Sequence, residues 1–285
     1  MDAPFDRRVR RLRRDRVAAA GGDADYLLGR AGDELLERLE GVSRRFSRAL
    51  LIGCGAPGIA RGLRSRGIEV VCCDSGWALA RRASGVRADE DRLPFCDGSF
   101  DLVVSVGVLD TVNDLPGGLV LIRRALRPDG LFLAALAGAG SLPRLRSAMS
   151  AAEEAEGLPA SPRIHPQIDV RAAGDLLMRA GLTLPVVDGE TVTVRFSSLL
   201  RLVSDLRAMG GTNILSARSR RPLGRAGLAA AIADFAAHAD SDGKTAERFD
   251  ILYLTAWAPS PDQPRPARRG SATASLAEAL KPKQR

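Results

Sequence analysis

Residues 49–58 read Ala49-Leu-Leu-Ile-Gly53-Cys-Gly55-Ala-Pro-Gly58, a short apolar run that leads into a glycine-rich turn. Glycine allows sharp backbone turns and a close approach of the backbone to a ligand. A helical pattern with Ile59, Ala60 and Leu63 on one side follows the turn. Because a helix N-terminus offers free N–H groups and a partial positive charge, the segment predicts a strand, a ligand-binding turn and a helix.

A second apolar run, Glu69–Cys73, predicts the next strand and ends at Asp74. In open α/β sheets ligands bind at the carboxyl ends of the strands, where a carboxylate can accept hydrogen bonds from ribose hydroxyls. The turn and Asp74 therefore predict a site for an adenosine-containing ligand. Taken alone, they leave three interpretations open: S-adenosylmethionine, a dinucleotide such as NAD or FAD, or a turn with a structural role only.

Strand and helix patterns alternate from residue 48 to residue 136. The apolar runs at 100–106 and 131–136 are continuous, as in strands that are buried on both faces. Between them, Asn113-Asp114-Leu115-Pro116 combines capping side chains with a first-turn proline and predicts a helix start. This alternation predicts an α/β fold with a Rossmann-like parallel sheet and helices on both faces.

We expect five regions along the chain. They are an N-terminal helical arm (1–47), a Rossmann-like core that binds the ligand (48–196), a helical insertion or lid (197–247), the last core strand (248–258) and a flexible tail (259–285). The arm and the insertion are expected to lie over the carboxyl edge of the sheet and to shape an acceptor site, because ligands bind at that edge.

Smaller segments carry further expectations. Proline-rich residues 141–168 are interpreted as a connecting excursion, residues 182–187 and 192–196 as a kinked strand or a hairpin, and residues 275–280 as a short helix. The insertion shows two apolar helix faces, formed by Leu199, Val203, Leu206 and Met209 and by Leu228, Ile232 and Phe235.

The composition excludes several classes of protein. The net charge is +8, but the arginines are spread along the chain and aromatic residues make up only 4%, so we expect no nucleic-acid partner. No apolar run reaches transmembrane length, although the apolar stripe of the insertion leaves peripheral membrane contact open. The arginine-rich N-terminal segment contains acids and no serine, unlike a transit peptide.

The four cysteines, Cys54, Cys72, Cys73 and Cys96, form no CxxC pair and are interpreted as reduced core thiols of a cytoplasmic protein. The two histidines, His165 and His238, stand far apart without metal-ligand spacing, so no metal site is expected. His165 falls in the excursion that could cover an acceptor pocket. No Ser–His or Cys–His pair is evident, and the catalytic residues are left unassigned.

Two further motifs carry a family resemblance. Residues 88–101 read Ala88-Asp89-Glu-Asp91-Arg-Leu93-Pro94-Phe95-Cys-Asp97-Gly-Ser99-Phe100-Asp101, and residues 124–131 read Arg124-Ala-Leu-Arg-Pro-Asp-Gly-Leu131. Together with the glycine turn they resemble the class I S-adenosylmethionine-dependent methyltransferases. The resemblance implies S-adenosylmethionine as the cofactor and methyl transfer as the reaction. The residues that it implies in cofactor binding are Gly53, Cys54, Gly55, Asp74, Ser75, Asp89, Glu90 and Ser105.

A narrower resemblance covers most of the chain and is most specific at Val112-Asn-Asp-Leu-Pro116 and Leu206-Arg-Ala-Met-Gly-Gly-Thr-Asn213. These segments look like the methyltransferase-fold assembly factors of respiratory complex I, whose mitochondrial member is a protein arginine hydroxylase, and are similar to malonyl-carrier-protein methyltransferases. The resemblance implies a protein client, either a subunit of an NADH:quinone oxidoreductase or a carrier protein. It also implies a bacterial cytoplasmic or a mitochondrial matrix location.

Three positions depart from the family pattern. Leu51 replaces an acid that usually orders the methionine end of the cofactor, Pro57 replaces a glycine, and Asp110-Thr111 replaces an aromatic. Pro57 still suits a first-turn position. The departures predict weakened cofactor binding and leave open a non-catalytic scaffold or a hydroxylase as alternatives to the methyltransferase.

Overall fold

The structure is a computed structural model and describes residues 3–20 and 25–263. Its helices are α1 (Arg7–Ala20), α2 (Tyr26–Glu40), α3 (Pro57–Ser65), α4 (Trp77–Arg82), α5 (Leu115–Ala125), α6 (Pro143–Ala155), α7 (Val170–Arg179), α8 (Leu199–Ala208) and α9 (Arg225–Ala237). The strands are β1 (Arg48–Ile52), β2 (Glu69–Asp74), β3 (Val86–Arg87), β4 (Phe100–Val106), β5 (Leu126–Ala137), β6 (Thr183–Phe196) and β7 (Thr245–Trp257). The helix expected at 275–280, with the tail beyond 263, lies outside the described residues.

The seven strands form one sheet in the order β3-β2-β1-β4-β5-β7-β6. Strands β1 to β5 are parallel, as expected, whereas β7 is antiparallel to both of its neighbours. The sheet is therefore mixed: the parallel arrangement predicted from residues 48–136 is confirmed for β1 to β5, and β7 adds an antiparallel strand. The predicted fold class, an α/β Rossmann-like methyltransferase sheet with helical elements before the last strand, is confirmed.

Two apolar layers cover the sheet, because β4 and its neighbours bury side chains on both faces. All seven residues of β4 are buried. On one face Leu50 and Ile52 pack with the apolar sides of α5 and α7. On the other face Ala49 and Leu51 pack with α2 and α3. The helices begin where the sequence predicts: Asp114 accepts a hydrogen bond from the Gly117 N–H at the start of α5 (2.8 Å), and Pro57 opens α3.

A third apolar cluster joins α6, α8 and α9 to the ends of β6 and β7. Three expectations concern its elements. The excursion at 141–168 contains α6, whose Pro143 stands in the first turn, where proline is favoured rather than disruptive. The runs 182–187 and 192–196 belong to the single edge strand β6, whose register shifts between Thr183 and Val186, so the kinked strand is confirmed and the hairpin is wrong. In α9 only Phe235 of the expected face is buried, while Leu228 and Ile232 are exposed.

Three cysteines are buried as expected, but Cys96 is exposed. Within the described ranges, no helix combines the length and apolar character needed to span a membrane.

Asp101 ties the start of β1 to the start of β4. Its carboxylate accepts hydrogen bonds from the Ser47 and Arg48 N–H groups (both 2.9 Å) and from the Ser47 hydroxyl (2.5 Å). Burial opposes the charge of Asp101, but these donors outweigh it and hold its pKa below the ordinary value. The second aspartate of the same motif, Asp97, is exposed, and among the described residues its side chain pairs with Arg124 alone.

We expect Asp101→Ala to lower the free energy of unfolding by about 2–4 kcal/mol, because it leaves buried donors without an acceptor. Asp97→Ala is the matched control and should change it by less than about 1 kcal/mol, as for a surface ion pair. Urea denaturation of both variants measures the difference. Equal effects of the two substitutions would show that Asp101 is not a structural anchor.

Candidate functional site

The two glycines of the turn after β1 have different roles. Gly53 has φ +93°, and a Cβ atom there would lie 2.7 Å from the carbonyl oxygen of Val106, so the fold itself excludes a side chain. At Gly55 the backbone is not left-handed, and a Cβ atom would come no closer than 3.4 Å to any atom, the nearest being Cδ1 of Leu28. Packing does not require a glycine at 55, and its bare backbone suits the close approach of a ligand.

Asp74, at the carboxyl end of β2, is fully buried and makes four hydrogen bonds. Its Oδ1 accepts from the Gly76 N–H and from Arg14 Nε (both 2.8 Å). Its Oδ2 accepts from the Cys54 N–H (2.8 Å) and from Arg14 Nη2 (2.6 Å). A carboxylate offers about four acceptor positions. Protein donors therefore use the full capacity of the group that was predicted to bind ribose.

Helix α1 supplies an arginine to each acid in the predicted cofactor site. The arginines are Arg7, Arg10, Arg11 and Arg14, whose spacing places them on one helix face. We call these four residues the arginine ladder. Arg10 donates to both oxygens of Glu90 (2.6 and 3.0 Å) and to the Ser75 hydroxyl (3.1 Å).

The other contacts of the ladder go to the two acids on either side of Glu90 in the sequence. Arg7 and Arg11 donate to Asp89 at 3.1 and 2.5 Å, and Arg7 also makes a two-pronged pair with Asp91 (2.7 and 2.6 Å). The sequence analysis missed the ladder. Its arginine spacing is visible in the sequence, but the partners stand 60 to 84 positions away.

The ladder controls the charge of the site. Burial opposes the ionisation of Asp74 and of Asp89, but Arg14 in one case and Arg11 and Arg7 in the other hold both pKa values below the ordinary value. Burial would likewise lower the pKa of Arg14, and Asp74 more than reverses this. Arg14 and Asp74, both buried, are therefore a charged pair, and removing either member leaves an uncompensated buried charge that costs about 3–5 kcal/mol.

The remaining predicted site residue, Ser105, is fully buried on β4, and its hydroxyl has no hydrogen-bond partner in the part of the chain described. Leu51, where the family usually has an acid, is 1% exposed and packs in the core layer under α2 and α3. An aspartate introduced at 51 would therefore bury its charge among apolar side chains.

A cavity of about 630 Å³ lies beside these groups, at the carboxyl edge of β4 and β5. Arg10, Arg13 and Arg14 of α1 form one wall, and the loop residues 163–167, 209–214 and 218–220 form another. Apolar side chains of α6 and α8, among them Leu145 and Leu206, line the rest. The arm and the segment between β6 and β7 thus border the edge of the sheet where ligands bind in this fold class.

Burial shifts the pKa values of two titratable groups in the cavity wall in the direction of their neutral forms. Burial, together with Arg13 and Arg10, lowers the pKa of His165 to about 4, and its Nε2 accepts a hydrogen bond from the Ile214 N–H (3.0 Å). Burial raises the pKa of Asp110 against the opposing influence of Arg10 and Arg14. The Oδ1 atom of Asp110 is buried and has no hydrogen-bond partner among the described residues.

The residues present fit S-adenosylmethionine in type: a bare glycine backbone at 55, a carboxylate at the end of β2, acids after β3 and an unpartnered hydroxyl at Ser105. In the structure described, the arginine ladder holds the same acids. The assignment of Gly53, Cys54, Gly55, Asp74, Ser75, Asp89, Glu90 and Ser105 to cofactor binding stays a prediction. Within the described residues no cluster of His, Cys, Asp or Glu could hold a metal ion.

Comparison with known proteins identifies the family that this chain resembles. Residues 50–134 match the family model of the methyltransferase domain. The mitochondrial arginine-hydroxylase NDUFAF5 of Danio rerio is 35% identical over 97% of this chain and 89% of its own length. The malonyl-[acyl-carrier protein] O-methyltransferase of Xylella fastidiosa (strain M23) is 32% identical over 79% of each chain.

A solved structure supports the fold alone. The YcgJ protein of Bacillus subtilis has a TM-score of 0.56 and 14% sequence identity, and covers 80% of this chain and 99% of its own. These matches confirm the resemblance that the motifs around Asp89 and Arg124 indicated.

Any ligand that takes both oxygens of Asp74 has to displace Arg14. We therefore expect Arg14→Gln to increase the affinity for S-adenosylhomocysteine by about tenfold or more, the free-energy range of one hydrogen bond to a charged group. The melting temperature should fall, because Asp74 loses its counter-ion. Calorimetric titration measures the affinity, and the exposed Arg8→Gln is a control with the same charge change. Weaker binding by Arg14→Gln than by wild type would contradict competition between Arg14 and the ligand.

His165 should make stability depend on pH. Its folded pKa of about 4 lies below its ordinary value of 6.5, so the fold favours neutral imidazole and loses stability as pH falls from 6.5 towards 4. The loss is about 2 kcal/mol at pH 5. Protonation of the carboxylates with lowered pKa values reduces the stability only at more acidic pH. Urea denaturation at pH 7.5 and pH 5 should show a smaller loss for His165→Gln than for wild type, and equal losses would contradict the assignment.

Proposed function

Since the chain belongs to the family of class I methyltransferase-fold proteins that contains NDUFAF5 and the malonyl-[acyl-carrier protein] O-methyltransferases, we propose that it is an S-adenosylmethionine-dependent methyltransferase. Its acceptor is presented by a protein or carrier-protein client. The observation that carries the proposal is the alignment of a bare glycine turn and strand-end acids along one edge of the sheet, next to a cavity of acceptor size.

The residues that would hold the cofactor follow from their chemistry. Asp74 and Ser75 suit the ribose hydroxyls, Asp89 and Glu90 suit the adenine, and the backbone at Gly53, Cys54 and Gly55 with the Ser105 hydroxyl suits the methionine end. The cofactor supplies a methyl group on a sulfonium. For these acids to serve, the four arginines of the ladder have to release them.

The protein contributes to such a reaction mainly by position. Residues of α1, α6 and α8 line the cavity on several sides and would limit the access of water to a group that reacts there. Holding two reactants close together in the correct orientation supplies much of the rate acceleration of a bimolecular transfer. No nucleophilic triad is required, and the absence of a recognisable one in the sequence agrees with this chemistry.

One observation favours a second candidate function. The arginine ladder satisfies Asp74, Asp89 and Glu90 without any ligand, as in a binding protein whose cofactor site has become structural. In that case the chain would serve as an assembly factor for an NADH:quinone oxidoreductase subunit in the bacterial cytoplasm or mitochondrial matrix, either as a scaffold or as a protein arginine hydroxylase.

Ligand titration separates the two functions. We expect S-adenosylhomocysteine to bind and to raise the melting temperature, because a ligand specific for the folded state stabilises it by mass action. Asp74→Asn should weaken that binding by roughly 10- to 150-fold, the loss of hydrogen bonds to a charged group. Asp97→Asn, with the same charge change on an exposed side chain, should not. Labelled S-adenosylmethionine and a cell lysate then identify the methylated client.

Two results would overturn the methyltransferase proposal. The first is binding of NAD without binding of S-adenosylhomocysteine. The second is a stable complex with an oxidoreductase subunit that carries no methylated product, in a protein that binds no cofactor even at millimolar concentration. The second result would establish the scaffold instead.

A further inference from the structure

The turn that follows β4 carries an acid whose buried oxygen receives no hydrogen bond from the described part of the protein. Asp110 stands in the middle of the single helical turn Leu109–Thr111 and lines the cavity. Its Oδ1 atom is buried and has no hydrogen-bond partner among the described residues. A buried polar atom without a partner costs free energy and calls for an explanation such as a bound ligand or ion.

The other acid in the described lining of the cavity, Asp250, already has partners. Its two oxygens accept hydrogen bonds from Nε and Nη2 of Arg248 (2.7 and 2.8 Å), and its Oδ1 also accepts one from the Thr191 hydroxyl (2.7 Å). Asp250 therefore needs nothing from a ligand. Of these two acids, Asp110 is the one whose carboxylate can receive a group that a ligand brings.

The arginine beside the turn does not serve Asp110, because its donors are used elsewhere. Arg10 donates from Nε to the Thr111 hydroxyl and from Nη2 to the Val108 carbonyl oxygen (both 3.1 Å). Its Nη atoms make three further contacts, two of them with Glu90. A guanidinium has five N–H groups, and these five contacts occupy them. Arg10 acts on Asp110 through its charge alone, and burial, which is the larger influence, still raises the pKa of Asp110.

The guanidinium of Arg14 connects Asp110 to the predicted cofactor site. It pairs with Asp74, and its Nη2 atom lies 3.7 Å from the place that a Cβ atom of Gly55 would take. It also lines the cavity together with Asp110. A ligand that takes Asp74 displaces this guanidinium and removes a positive charge from the space over the glycine turn. Because a nearby opposite charge favours the ionised form of a carboxylate, a ligand that brings a positive group of its own is favoured there.

The methionine end of S-adenosylmethionine carries such a group, an α-ammonium. The resemblance implies an acid at position 51 for this end of the cofactor, but Leu51 is 1% exposed and belongs to the core layer. Strands β1 and β4 are neighbours, with Ile52 opposite Ser105. An acid in the turn after β4 therefore stands at the same edge of the sheet as the acid that is missing from β1.

We propose that Asp110 is the counter-ion of the α-ammonium group of S-adenosylmethionine and replaces the acid that the family usually has at position 51. The proposal rests on the proposed function, because it takes this ligand as the cofactor. It adds to the site a binding residue that the sequence motifs do not indicate. Pairing with the ammonium supplies the partner that the carboxylate of Asp110 lacks in the structure described.

Three ligands, measured by calorimetry on the full chain, isolate the ammonium group. They are S-adenosylhomocysteine, its analogue with hydrogen in place of the α-amino group, and methylthioadenosine, which lacks the whole amino-acid end. We expect wild type to bind S-adenosylhomocysteine about tenfold or more tightly than the deaminated analogue, as for a hydrogen bond between charged groups. Equal affinities would mean that the site does not recognise the ammonium and would overturn the proposal.

Asp110→Asn should lose about tenfold or more of the affinity for S-adenosylhomocysteine. Its affinities for the two ligands without an ammonium should stay within about twofold of wild type, as for sites that do not interact. Asp250→Asn is the matched control, because it removes the same charge from the acid of this cavity that already has partners, and it should bind all three ligands as wild type does. Equal losses in the two variants would mean that only the net charge of the cavity matters and would overturn the proposal.

The stability without ligand distinguishes a binding role from a structural one. Since Oδ1 of Asp110 accepts no hydrogen bond from the described residues, Asp110→Asn should not lower the melting temperature of the ligand-free protein. A lower melting temperature, together with equal losses of affinity for all three ligands, would assign Asp110 a structural role and overturn the proposal.

The same titrations separate this inference from the proposed function. If wild type binds S-adenosylhomocysteine and Asp110→Asn binds it equally well, the methyltransferase proposal stands and the role of Asp110 falls. If wild type binds none of the three ligands even at millimolar concentration, the proposed function and the role of Asp110 fall together.

Discussion

The pairing of four arginines of α1 with the acids at the carboxyl edge of the sheet is the interaction on which the rest of the site depends. It fixes the arm against the core, since Arg10, Arg14, Asp74 and Glu90 are all buried. It also forms one wall of the cavity. Because each broken pair would leave an uncompensated buried charge, the arm can open only if a ligand satisfies the acids in place of the guanidiniums.

This constraint links affinity to conformation. Some ligands can bind only after the ladder has released the acids. The apparent affinity of such a ligand is its intrinsic affinity multiplied by the fraction of molecules in which the acids are free. Weak cofactor binding was expected from Leu51 and Pro57, but the structure offers a stronger physical cause. Pro57 only begins α3, and Leu51 belongs to the core, whereas Arg14 uses two acceptor positions of the strand-end carboxylate.

The sequence predicts the parts of this molecule that depend on local patterns. Continuous apolar runs locate β1, β2 and β4, and the Asp114 cap with its proline locates α5. What the sequence does not show depends on long-range contacts or on context. Proline at 143 opens a helix instead of breaking one, and Leu228 and Ile232 have helical spacing yet face outwards. For the site, the spacing of the arginines can be seen in the sequence. Which acids they pair with depends on how α1 packs against the edge of the sheet.

The same geometry shows that the acids at the strand ends can be satisfied in two ways. The carboxylates after β2 and β3 can accept hydrogen bonds from guanidiniums or from the hydroxyl and amino groups of an adenosine, because both are hydrogen-bond donors. A chain can therefore keep these acids for structural reasons even where the cofactor is bound weakly. Gly55 differs from them: neither backbone angle nor packing requires a glycine there. No structural role explains why position 55 of the turn is a glycine. A ligand that approaches the backbone closely would explain it.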